Sequence, residues 1–166
     1  MKRSQLTSTH TLAVLVENKS GVLARVAGLF ARRGFNIESL AVAPTDDRFS
    51  RITIVVDAES VSLDQVVKQL DKLINVVDIT EITPEGAALR EMVLVRMELD
   101  TQDSVEAVTN LVDGFSGSVL RVRDTQMMLS LSSRPDELDQ FLEKLAPFGI
   151  AELQRTGAIA IPGIDG

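Results

Sequence analysis

One order of segments occurs twice along this chain of 166 residues: an apolar run with strand character, an amphipathic stretch with a period near 3.6, two further strand-like runs, a second amphipathic stretch and a closing run. That order restricts the fold more than any other feature. Two helices and four strands arranged β-α-β-β-α-β make a four-stranded antiparallel sheet with both helices on one face. The chain is thus expected to be α+β, with two tandem ferredoxin-like βαββαβ domains.

In the first copy, Leu12 to Val16 is short and rich in branched residues, which suits a largely buried strand. It stops at Asn18-Lys19-Ser20-Gly21, where Asn, Ser and Gly favour a turn. From Val22 the apolar residues Val22, Val26, Leu29 and Phe30 line one helix face, while Arg25, Arg32 and Arg33 fall elsewhere. Gly34 ends the helix, and the arginines in its last turn suit the negative end of its dipole. Ile37 to Ala43 reads as a strand, Pro44 as its break and Thr45 to Arg48 as a hairpin loop. Ser50 to Asp57 is the return strand. Ser62-x-x-Gln65 has capping-box spacing and opens a helix with Leu63, Val66, Val67, Leu70 and Leu73 inward; Val76 to Thr83 is the fourth strand.

Thr83-Pro84-Glu85-Gly86 reads as a linker. Beyond it, Met92 to Leu99 is a strand. Asp103-x-x-Glu106 opens a helix with Val105, Val108, Leu111, Val112 and Phe115 inward, and Val119 to Arg123 and Met127 to Ser132 form a strand pair. Pro135 starts a helix carrying Leu138, Phe141, Leu142 and Leu145, and Ile150 to Ile161 closes the set, interrupted at Gly157. The expected domains are a flexible tail over 1–9, a first domain over 10–84 and a second over 85–166. Such small sheets keep an open face and edge, so pairing with another copy is expected.

Composition removes whole classes of function. With no cysteine there is no disulfide or thiolate chemistry, and the single His10 cannot form a zinc cluster or a histidine relay. A net charge of −7 and no aromatic platform on the strands argue against nucleic acid as a partner. No phosphate loop or acid–base pair in an apolar setting is found, so no catalytic residues are assigned. Asp46 and Asp47, adjacent in a hairpin loop, have the chemistry to bind a cation or a basic partner. Met1 to His10 is polar, and no apolar run is long enough to span a membrane, so a soluble cytoplasmic protein is expected.

The turn at residues 18–21 has a chemistry of its own. A helix start presents unpaired N–H groups, and Gly21 leaves room for an anion such as an amino-acid carboxylate. Asn18 and Asn36 could serve a zwitterion through amide donors and acceptors without adding a full charge. Equally, Asn18 or Ser20 could cap the helix and Asn36 could occupy a turn.

The segments Asn18-Lys19-Ser20-Gly21-Val22-Leu23, Gly28-Leu29-Phe30, Arg33-Gly34-Phe35-Asn36-Ile37-Glu38-Ser39-Leu40, Ala43-Pro44-Thr45-Asp46-Asp47 and Ser50-Arg51, continuing through Arg90-Glu91, resemble the regulatory small subunits of acetolactate synthase, also called acetohydroxyacid synthase. The resemblance implies that the first domain is an ACT domain binding valine, or another branched-chain amino acid, where two ACT domains pair. It places the ligand on Asn18, Ser20, Gly21, Val22, Leu23, Asn36 and Ile37. It further implies a homodimer that has no cofactor of its own. The second domain then helps to activate a catalytic subunit carrying thiamine diphosphate, Mg2+ and FAD. The alternative is a free-standing amino-acid-sensing module with a different client enzyme.

Overall fold

The computed structural model describes residues 9–57, 63–83 and 87–164. The expected tail, the linker residues 84–86 and the capping residue Ser62 lie outside the described residues. Two compact units are present. Of the described residues, 9–89 and 158–164 belong to the first and 90–157 to the second, so the stretch 158–164, grouped by sequence with the second domain, sits in the first unit.

The first unit contains β1 (Thr9–Glu17), α1 (Val22–Arg33), β2 (Asn36–Pro44), β3 (Phe49–Asp57), α2 (Leu63–Leu70) and β4 (Val76–Ile82). Its sheet has the order β2-β3-β1-β4 with every pair antiparallel. Alternation along β1 sends Leu12, Val14 and Val16 into a core with Val22, Val26, Leu29 and Phe30 of α1, Ile52, Ile54 and Val56 of β3, and Val66 and Leu70 of α2. Each fully buried side chain of this size contributes roughly 1.5–3 kcal/mol. Pro44, expected to break β2, is its last paired residue, opposite Ser50. β2 is an edge strand, where a missing N–H leaves no ladder bond unmade. At the end of α1, Gly34 takes φ 72°, and the Phe35 N–H donates to the Phe30 carbonyl at 3.1 Å.

The second unit repeats the plan with β5 (Ala88–Glu98, from Arg90 onward), α3 (Gln102–Gly114), β6 (Ser118–Arg123), β7 (Gln126–Ser133), α4 (Pro135–Leu145) and β8 (Ile150–Arg155), in the order β6-β7-β5-β8. The repetition extends to irregularities. Register shifts at Leu15/Val16 and Ile37/Ser39 in the first unit have counterparts at Arg96/Met97 and Val119/Arg121 in the second. The run 150–161, expected as one interrupted strand, divides into β8 and β9 (Ile159–Ile161), with Gly157 at φ 83° between them. α3 is capped by Thr101, whose Oγ1 accepts the Ser104 N–H at 3.2 Å, and not opened by Asp103, which lies in the first turn. Among the described residues no helix is long and apolar enough to cross a membrane.

One charged cluster is built into the second unit. The Arg155 guanidinium donates from Nη2 and Nε to the two carboxylate oxygens of Glu91 at 2.7 and 3.1 Å, and from Nη1 to Asp139 Oδ1 at 2.7 Å. It ties β5, α4 and β8 together. Burial alone would lower the Arg155 pKa, but the hydrogen bonds and charges of Glu91 and Asp139 raise it above its ordinary value. The Glu91 side chain is 1% exposed, so removing it leaves a half-sheltered cation with Asp139 alone. Glu91→Leu is expected to lower unfolding stability by about 3 kcal/mol in urea titrations. Arg96→Gln, which breaks only exposed pairs to Glu98 and Glu152, should change it by less than about 1 kcal/mol.

Candidate functional site

Gly21 is the N-cap of α1 and adopts φ 82°, ψ −5°, a left-handed conformation that glycine reaches without penalty. A Cβ at this position would meet nothing within 4 Å, so the backbone angle and not crowding within the chain calls for glycine. No side chain caps the helix, neither Asn18 nor Ser20, and no acidic residue lies in its first turn. The capping role open to Asn18 and Ser20 is therefore not taken up. The turn is held by backbone instead. The Asn18 N–H donates to the Arg48 carbonyl at 2.7 Å, the Lys19 N–H to the Glu17 carbonyl at 2.9 Å and the Val22 N–H to the Lys19 carbonyl at 3.3 Å. Ser20 and Leu23 are exposed, whereas the Val22 side chain is buried in the core and offers only its backbone to this surface.

Charge around the turn is arranged by Asn75, a residue that no local pattern singled out because it is 58 positions from Glu17. Its Nδ2 donates to Glu17 Oε2 at 2.5 Å and its Oδ1 accepts from Arg25 Nη1 at 2.5 Å, while Lys19 Nζ reaches Glu17 Oε1 at 3.0 Å. The Asn75 hydrogen bond, then that of Lys19, holds the Glu17 carboxyl below its ordinary pKa. The ionised Glu17 carboxylate is thus paired with Lys19 and Asn75, and Arg25 stands beside an uncapped helix start, a setting that favours an anion.

Asn36 and Ile37 are elsewhere. Asn36 opposes Asp57, which in turn opposes Thr9, at the end of the sheet where β1 begins; the turn at 18–21 follows Glu17, which opposes Phe49 at the other end. Eight residue steps along β1, roughly 26 Å at strand rise, separate the two ends. Asn36 Nδ2 donates to the Glu38 carboxylate, and Ile37 packs against the core. Asn18 and Asn36 therefore do not converge on one ligand within a single chain, because the helix between them runs the length of the sheet.

Asp46 is occupied as well. Its Oδ1 accepts the N–H groups of Arg48 at 2.7 Å and Phe49 at 2.8 Å, closing the hairpin loop. Among the described residues, no cluster of three or more His, Cys, Asp or Glu side chains could hold a metal.

Tandem βαββαβ units, the first with an open, glycine-started helix, fit a protein of the ACT class, and the family match over the first unit makes it one. Residues 12–78 match the family described as the AHAS small subunit-like ACT domain, and residues 90–163 match the family of the small subunit of acetolactate synthase. The chain is 46% identical over 155 residues to the acetolactate synthase small subunit of Mycobacterium bovis, covering 92% of this chain and 91% of the relative. It is 42% identical to that of Mycolicibacterium smegmatis, covering 93% and 91%. The crystal structure of the small subunit from Thermotoga maritima superposes with a TM-score of 0.85 at 33% identity, covering 92% of this chain and 96% of that one. The chain belongs to the family of acetolactate synthase small subunits.

Asp46 carries a pH signature. The Arg48 and Phe49 N–H groups lower the Asp46 pKa from its ordinary 3.8, so the ionised form stabilises the fold above that value. The contribution disappears as pH falls through the lowered pKa of the folded state. In a carboxyl-detected NMR titration Asp46 should protonate below 3.8, with the amide shifts of Arg48 and Phe49 following the same midpoint. Asp46→Ala should remove that midpoint from both amides.

Proposed function

We propose that this chain is a non-catalytic, cytoplasmic regulatory subunit. As a homodimer it raises the activity of an acetolactate synthase catalytic subunit, which carries the thiamine diphosphate, Mg2+ and FAD, and it transmits feedback inhibition by valine. The reaction it controls is decarboxylation of pyruvate and transfer of the remaining two-carbon unit to pyruvate or 2-oxobutanoate. Family membership carries the choice of client enzyme.

The observation that carries the ligand reading is the separation of the two asparagine ends. Each chain offers an anion-favouring turn at one end of its sheet and the Asn36 amide at the other. β2 is an edge strand with its outer ladder unfilled among the described residues. If two copies join by antiparallel pairing of β2 across a two-fold axis, Asn36 of one chain comes beside the Pro44 end of the other. That end carries Arg48, the acceptor for the Asn18 N–H of the glycine turn. The valine site is then composite: Asn18, Ser20, Gly21, Val22 and Leu23 from one chain and Asn36 and Ile37 from its mate, formed twice per dimer. Activation is assigned to the second domain, whose sheet leaves Met92, Leu94 and Met128 exposed to a partner on the face away from its helices.

The test is complementation between damaged chains. Gly21→Asp puts a carboxylate in the anion position, at a left-handed angle that Asp tolerates better than most residues, and Asn36→Ala removes the amide. Either homodimer should bind valine roughly ten- to a hundredfold more weakly by calorimetry. Mixed dimers should regain one high-affinity site in two, because one composite site then draws both parts from undamaged segments. Mixed dimers that bind no better than their parents, or a particle that stays at the 18.1 kDa chain mass at high concentration, would count against the composite site.

A further inference from the structure

The first sheet has a second cover that its two helices do not supply. On the face opposite α1 and α2, Ala13, Ser39, Thr53, Val55 and Ile82 are all buried, each 7% exposed or less. Within the first unit, Ala13 and Ile82 pack with Ala160, and Ala87 and Leu89 join them. β9 and the residue before it alternate in an unusual sense: Ala158 and Ala160 are buried while Ile159 and Ile161 are more than half exposed. Small residues inward let the strand lie close to the sheet. The Ala158 N–H donates to Ser39 Oγ at 2.9 Å, a buried bond linking positions 119 apart in the chain.

Ser39 lies at a particular place in β2. The register against β3 shifts between Ile37 and Ser39, leaving Glu38 without a position in the ladder. Asn36 opposes Asp57 and Ser39 opposes Val55, two residues apart on β3, so Asn36 and Ser39 share the outer face although they are three apart on β2. A regular strand would put them on opposite faces. The bulge is what turns Asn36 to this side, and the bond from Ala158 anchors its far edge.

We propose that Ser39 is a positioning residue for the amino-acid site: its hydroxyl, held by the Ala158 N–H just before the C-terminal strand, fixes the bulge that orients Asn36. This rests on the assignment of Asn36 to the ligand site. C-terminal residues more than a hundred positions away thereby set ligand affinity in the N-terminal domain. Loss of the Ser39 oxygen also leaves the Ala158 N–H buried without an acceptor.

The test uses the full-length dimer and L-valine as the probe, with affinity from calorimetry and stability from urea midpoints. Ser39→Ala should weaken valine binding about tenfold, and Ser39→Thr, which keeps the hydroxyl, should restore most of it. Ala158→Pro removes the donor from the other side of the bond, and combined with Ser39→Ala it should add little to either change alone. Ile82→Ala, on the same outer face but on β4, should lower the urea midpoint at least as far as Ser39→Ala while leaving affinity within about twofold. Equal loss of affinity in Ile82→Ala and Ser39→Ala would reduce Ser39 to a packing residue and overturn the proposal. So would unchanged affinity in Ser39→Ala while Gly21→Asp still weakens binding. Unchanged affinity in Gly21→Asp as well would remove the ligand site itself, and this inference with it.

Discussion

Two helices cover one face of a four-stranded sheet and leave the other to be dealt with separately. How each unit meets that constraint accounts for most of the differences between them. In the first, the open face is narrow-profiled, with Ala13, Ser39 and Thr53 among its buried residues, and Ala160 of β9 packs on it against Ala13 and Ile82 together with Ala87 and Leu89. In the second, Met92, Leu94 and Met128 remain 38–45% exposed among Ser130, Ser132 and the Arg96–Glu152 pair. The same topology yields a sheet buried on both faces and a sheet buried on one.

The two units also differ where their first helices begin. At the start of α3, Thr101 Oγ1 accepts the Ser104 N–H and Asp103 places an acid in the first turn. At α1 the corresponding turn carries Gly21 in a left-handed conformation, with no side-chain cap and no acid. Since an uncapped helix start retains its partial positive charge, the start of α1 is a more favourable setting for an anion than that of α3, which carries a side-chain cap and Asp103. The shared bulges show that the two folds are otherwise alike down to register. The contrast at their helix starts is therefore one of local chemistry and not of architecture.

Local periodicity carried the sequence reading a long way. The strands, the helices, the stop at Gly34, the Pro135 start and the break at Gly157 all follow from patterns within a few residues of one another, where 2-fold and 3.6-fold spacing and backbone preference operate. Boundaries moved where a short-range rule met a long-range partner. Pro44 stays in β2 because that strand is an edge, and Thr101, not Asp103, caps α3. The glycine turn was legible because its conformation is local.

What the sequence determined by itself is thus the order and type of the elements, the repeat, and the identity of the turn that keeps its helix start open. Tertiary structure alone decided which ends meet. Asn18 and Asn36 look like two ends of one site in the linear chain, yet α1 spans the sheet and separates them. Asn75 beside Glu17 and Ala158 beside Ser39 look unrelated, yet the sheet brings each pair into hydrogen bonding. Periodicity records which face a residue takes on its own element. It carries no information about which distant segment will cover that face, because that depends on three-dimensional closure of the chain.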